Sequence, residues 1–190
     1  MTSFKPRKDR WHDFFFKFPD IEFLPIYEAY VLLKLLYGMK VLSLNQKQLP
    51  VGILSKFHID NLRKFQSLPI RTATAVIYLL IGAMPIEAEI HKRQLSFLHS
   101  ILNCNNDNIR ALTDRQLIMN VNNPQSFFCR ASATLEMYNL PTIAELKANL
   151  PTKLNWKYIC KKAIKLFWTE NLQKMLQDKT SLRGTWILRI

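Results

Sequence analysis

The chain has 190 residues and a mass of 22.4 kDa, enough for one domain or one domain with an appended arm. It is 48% hydrophobic and 12% aromatic, so it can build a core, and wholesale disorder is excluded. Twenty-seven Lys and Arg against fourteen Asp and Glu leave a net charge of +13, which draws a domain of this size to nucleic acid or an anionic membrane surface. A basic protein that is merely soluble is the alternative.

Residues 1–24 are charged and aromatic without clear periodicity, and Pro6 and Pro19 break them, so they read as a loosely ordered arm. Pro25 can open a helix that runs through Ile26, Tyr27, Tyr30, Val31 and Leu33 to Tyr37, with Gly38 as its stop. Val41–Leu44 is a short strand or extended connector. Pro50 starts a helix to Gln66, with Ile53, Leu54, Phe57, Leu62 and Phe65 at helical spacing, and Ser67-Leu68-Pro69 ends it. Thr72 to Leu80 is apolar nearly all round, hence a central buried helix, which Gly82 closes.

Pro85 opens the best-patterned helix. Ile86, Ile90, Phe97, Leu98, Ile101 and Leu102 form one face, with Glu89, Lys92, Arg93 and His99 opposite. Glu87 and Glu89 suit the positive end of its dipole. Ile109–Met119 is a further helix between the loops 103–108 and 120–124. Ser126 is placed to cap Phe127–Tyr138, and Thr142 with Glu145 has capping-box spacing for a short helix to Ala148. Pro151 precedes a long helix from about Leu154 to Asp178, and residues 181–190 form a tail. The expected fold is all-α: an irregular multi-helix bundle of about six to seven helices with little or no sheet, its domain spanning residues 25–180.

Several chemistries drop out. The four glycines, Gly38, Gly52, Gly82 and Gly184, cannot write GxGxxG or GxxxxGKS/T, so no dinucleotide or P-loop site is expected. Cys104, Cys129 and Cys160 are odd in number and hold no CxxC pair, which fits neither a disulfide framework nor a zinc site and suits a reducing compartment. His12, His58, His91 and His99 lack any nucleophile signature beside them, and His91 and His99 are eight apart where a helical metal pair wants three or four. The latter two read as surface or boundary residues. Asp13 with Asp20, and Asp107 with Asp114, each include a loop residue, and Glu87 and Glu89 diverge on a helix, so no two-metal centre is expected. The expectation is no catalytic residue, no metal, no cofactor and no small-molecule substrate. No segment is convincing as a signal peptide or a membrane span, so the chain reads as intracellular, nuclear or cytoplasmic.

Basic residues carry what remains. Lys157, Lys161 and Lys165 recur every four residues along the last helix, opposite Trp156, Ile159, Cys160, Ala163 and Phe167. Such a column suits successive phosphates, and a solvated face is the plain alternative. The column ends where Trp168, Leu172 and Met175 continue its line as apolar residues. Arg63, Lys64 and Arg71 bracket the turn at Ser67–Pro69 as a second patch. Lys92 and Arg93 are weaker, because Glu89 can pair with them. Tyr78 and Trp156 are candidates for stacking on bases, against a core role for both.

The order of several motifs resembles a known family. Leu35-Leu36-Tyr37-Gly38 is followed by Phe57-His58, Leu62-Arg63-Lys64, Gln66-Ser67-Leu68-Pro69 and Arg71-Thr72-Ala73-Thr74. The run Leu79-Leu80-Ile81-Gly82-Ala83-Met84-Pro85-Ile86-Glu87-Ala88-Glu89 and then His91-Lys92-Arg93-Gln94-Leu95 complete it. Together these are similar to the thumb and downstream region of non-LTR (LINE-type) retrotransposon reverse transcriptases. The likeness covers roughly residues 26–179 and is weaker through Trp156 and Trp168. It implies a helical thumb that clamps template–primer duplex, then a helical extension. The palm and its Tyr-X-Asp-Asp strand would lie upstream, and only residues 1–25 precede the match, so a fragment without a polymerase centre is expected. Pro50 and Gly52 depart from the continuous helix of that pattern, and the Cys/His-rich segment that often follows is absent. The partner implied is duplex nucleic acid bound without sequence specificity, with no membrane. The alternative is a self-associating or protein-binding module that uses the apolar surface of Ile26–Tyr37, left uncovered without a palm.

Overall fold

A row of buried residues on the last helix organises the molecule. The computed structural model describes residues 23–39, 51–120 and 122–182. Among these the fold is all-α, with eight helical elements, slightly more than the six to seven expected, and no strand. The expected connector at Val41–Leu44 and nearly all of the expected arm and tail (residues 1–24 and 181–190) lie outside the described residues.

The first element, α1, starts as α-helix over Phe23–Ile26, widens to π-helix over Tyr27–Leu32 and returns to α-helix at Leu33–Leu35. An i→i+5 winding aligns residues five apart, and Tyr27 and Leu32 are both 2% exposed. Ordinary α-helical winding would turn one of them away. Tyr30 within this segment, and Leu33 and Tyr37 after it, face outward, at 67%, 58% and 89% exposure.

Helix α2 covers Val51–Phe65 and buries Leu54, His58 and Leu62, a strict four-residue step. Ile53 and Phe57, expected on the core face, are exposed, because the row inward of them includes a histidine that hydropathy overlooked. Arg63 O accepts from Leu68 N at 3.0 Å while Ser67 takes φ +51°, a left-handed closure at the expected stop. Helix α3, Thr74–Ile81, buries Ala75, Ile77 and Tyr78 and ends at Gly82 with φ +70°, where a Cβ would be strained. Leu80 departs from the expected burial and is exposed.

Helix α4, Ile86–Leu102, packs against α2 and against the helices α5 (Asp107–Met119), α6 (Phe127–Met137) and α8 (Lys153–Leu182). It therefore buries more than one side: Ile86, Ile90 and Leu98 as expected, and also Ala88, Gln94, Leu95 and His99. His99, expected on the polar face, is buried, since a helix packed on several sides has no wholly polar face. Asn106 caps α5 through its side-chain oxygen, whereas Ser126 stands at the cap position of α6 without making the cap bond. The capping box forms at α7, Ile143–Ala148: Thr142 N donates to Glu145 Oε2 at 2.7 Å and Glu145 N to Thr142 Oγ1 at 3.3 Å.

Two cores result. The first gathers Tyr27, Leu36, Leu62, Ile77, Ile86 and Leu172; the second gathers Leu95, Leu98, Leu135, Leu146, Trp156 and Ile164. Helices α4 and α8 serve both. On α8 one inward row runs Trp156, Cys160, Ile164, Trp168, Leu172 and Leu176, each four after the last, with Ala163 and Phe167 packed beside it in the second core. A four-residue step overshoots one helical turn by about 40°, so this row winds about 200° around α8 from the second core to the first.

That winding makes a stability prediction. Leu172 is 2% exposed in the first core, so Leu172→Ala is expected to cost about 3 kcal/mol, while Gln173→Ala, one residue on and exposed, stays within about 0.5 kcal/mol. Urea unfolding of both variants checks it.

Candidate nucleic-acid interface

The lysine row arises from the same four-residue step. Lys157, Lys161 and Lys165 each follow a buried member of the inward row by one residue, so all three stand about 100° away from it and are exposed. The helix begins at Lys153, one residue before its expected start, which adds a fourth lysine to the row, also exposed. Over this length the row spans about 18 Å. Continued at the same step, the row meets Thr169 and Gln173, so the column of charge ends at Lys165.

Among the described residues these cations are not neutralised. The ion pairs at Arg63–Asp60 (2.9 Å), Lys92–Glu89 (3.0 Å), Arg110–Asp107 (3.6 Å) and Lys147–Asp114 hold other cations. None of Lys153, Lys157, Lys161, Lys162 or Lys165 has a carboxylate partner among the described residues, and the chain between Lys147 and Glu170 holds no acid. The first turn of α8 likewise has none. A cation there opposes the helix dipole at about 0.3–1 kcal/mol, so helix stability does not account for Lys153; the dipole instead adds to the positive potential of this end.

The second patch is weaker. Arg63 turns back to Asp60, its side chain only 17% exposed and its Nε buried without a hydrogen-bond partner. Lys64 and Arg71 remain exposed. This patch stands beside the first core and the lysine row beside the second, so the structure does not merge them. Lys92 pairs with Glu89 as the sequence suggested, and Arg93 instead donates to Leu32 O at 3.4 Å. Both aromatics named for stacking are core: Trp156 is 2% exposed and donates Nε1–H to Leu95 O at 3.0 Å, and Tyr78 is 3% exposed. The aromatic that the lysine row does present is Tyr158, 65% exposed. Its position between lysines is legible in the sequence.

The histidines are structural struts. His58 Nε2 donates to Met84 O at 3.0 Å, since a carbonyl only accepts; its Nδ1 therefore accepts the Tyr27 hydroxyl at 2.8 Å. Trp168 Nε1 donates to the Tyr138 oxygen at 3.0 Å, leaving the Tyr138 hydrogen for His91 Nδ1 at 2.8 Å. His99 donates to Pro151 O at 2.8 Å and is 3% exposed, not the surface or boundary residue expected. Burial pushes His58 below its usual value, against weaker upward pulls from the Met84 bond and from Glu89 and Glu87. Burial also pushes His91 down to about 4.

Asp107 and Asp114 both lie on α5, not one in a loop, but Arg110 and Lys147 take them separately. Among the described residues no three of His, Cys, Asp and Glu converge, and all three cysteines are free. An open hollow of about 250 Å³ beside the α5–α6 loop is edged by Gln116, Asn120, Asn123 and Phe128. No single helix among the described residues is long and apolar enough to cross a membrane. No family model, no curated protein and no solved structure matches the chain.

The buried histidines set a pH dependence. The unfolded chain binds protons near pH 6.5 and folded His91 only near 4. Between those values the unfolded state holds more protons, so stability rises with pH, is complete above about 6.5 and is lost on the way down to 4. Denaturation at pH 7 and pH 5 should differ by on the order of 1–3 kcal/mol, and His91→Gln should reduce the difference.

Proposed function

We propose that this chain is a non-catalytic helical module that holds nucleic acid without sequence specificity through the lysine row of α8, and that it is a remnant of a LINE-type reverse transcriptase thumb. The observation that carries the binding reading is the exposed row Lys153, Lys157, Lys161 and Lys165, which no acid among the described residues neutralises. Successive members stand about 6 Å apart along the axis, a spacing that lets each ammonium meet its own phosphate. The ordered run from Arg71 to Leu95 supports the thumb origin; it occupies α3, the Gly82 turn and most of α4, the centre of the fold.

With four phosphates engaged, log K is expected to fall with log salt with a slope of about −3. The pair Lys161→Glu and Lys165→Glu should lower that slope by about 1–2 and weaken binding to any sequence alike. Fluorescence anisotropy across a salt series measures both, and an affinity flat with salt would sink the reading. A primer-extension assay is expected to show no polymerisation, and measurable extension refutes the non-catalytic part.

A second reading has its own observation. Tyr30, Leu33 and Tyr37 leave α1 with an exposed apolar face, the segment expected to lie against a palm, which favours self-association. Sedimentation should then show concentration-dependent oligomers that Leu33→Ser diminishes; a monomer at all concentrations removes this reading.

A further inference from the structure

Phosphate contact explains lysines but not the ring set among them. Tyr158 directly follows Lys157, and Lys161 and Lys162 lie three and four residues on, so they are its neighbours on the helix surface. Lys165 stands one turn beyond, and all four lysines are exposed. The Tyr158 ring is 65% exposed and stacks on no other ring among the described residues. By contrast Tyr27, Tyr78 and Tyr138 are buried, and Tyr27 and Tyr138 each engage a histidine through the hydroxyl.

Resting on the nucleic-acid reading above, we propose that the α8 face takes single-stranded nucleic acid, with an unpaired base stacked on Tyr158 and the flanking phosphates held by Lys157, Lys161, Lys162 and Lys165. In a duplex each base is covered on both faces by its neighbours, so a ring projecting from a helix flank meets only backbone or groove edge. An unpaired strand presents π-faces and phosphates together, which is what a tyrosine ringed by ammonium groups can use at once. The occupant is thus a single strand in place of the duplex that the thumb resemblance implies.

An anionic membrane shares the charge but not the rest of the chemistry. An interfacial helix needs a continuous apolar face to bury among lipid, and the apolar row of α8 (Trp156, Cys160, Ile164, Leu172) is already inside the protein. On the outer side Leu154 and Leu166 are exposed, about 120° apart around the axis with lysines between them.

The test measures anisotropy of labelled oligodeoxythymidine and of a duplex of equal length with the full chain, its Tyr158→Ala and Tyr158→Phe variants, and the Lys161→Glu/Lys165→Glu pair. The chain should prefer the single strand. Tyr158→Ala should cut that preference roughly tenfold, the scale of one base–aromatic stack, and Tyr158→Phe should retain it. Circular dichroism shows whether each variant keeps its helix. If lysine reversal weakens both ligands while Tyr158→Ala leaves the preference intact, the single-strand proposal falls and the binding reading survives. If lysine reversal changes neither ligand, the binding reading itself falls and takes this proposal with it. Vesicles with anionic headgroups that displace the oligonucleotide, with Tyr158→Ala weakening the vesicles instead, would overturn the assignment in favour of a membrane.

Discussion

The four-residue step of α8 is the constraint on which the rest of this structure depends. A straight amphipathic helix repeats every 3.6 residues and buries one stripe against one core. Here one inward row repeats every four, with Ala163 and Phe167 beside it, so the buried stripe turns around the axis. Trp156, Cys160 and Ile164 enter the second core, and Leu172 enters the first. One helix of 30 residues thereby ties together two clusters that would each be small alone. Any row displaced from the inward one by a single residue turns with it but stays outside, and that is where the lysines are.

The interior is held by polar struts as well as by apolar area. Three histidines each accept or donate a bond that joins separate elements: His58 joins α1 to the α3–α4 connection, His91 joins α4 to Tyr138 and through it to α8, and His99 joins α4 to Pro151. Buried polar groups carry a penalty unless bonded, so these pairs fix which helix faces meet. The bond to Met84 O specifies which nitrogen of His58 holds hydrogen, and burial favours the uncharged ring. The same feature that makes the packing specific makes it sensitive to acid.

Charge is distributed unevenly in function if not in sequence. Arg63, Lys92, Arg110 and Lys147 spend their charge on nearby carboxylates. The lysines in the first half of α8 have none among the described residues, and Lys153 stands in the first turn, where the backbone dipole is itself positive. A high net charge alone therefore says little about where an anion would settle; the pattern of neutralisation says more. It also ranks the two candidate patches, since Arg63 is withdrawn and the α8 row is not.

Local signals in the sequence determined the local structure. Gly82 as a helix stop, the Thr142 and Glu145 capping box and the Lys92–Glu89 pair depend on residues within a few positions of each other, and the helical pattern fixed the all-α class. Only the tertiary structure decided which faces go inward. Ile53 and Phe57 recur at apolar helical spacing yet are exposed, His99 reads as a surface or boundary residue yet is buried, and the π-winding at Tyr27–Leu32 brings Tyr27 and Leu32 inward together. The lysine column was legible from spacing, but Lys153, and Tyr158 as its exposed ring, were not singled out. The physical reason is that burial depends on what packs opposite a residue, and that partner lies far away in the chain: Leu95 for Trp156, Met84 for His58, Pro151 for His99.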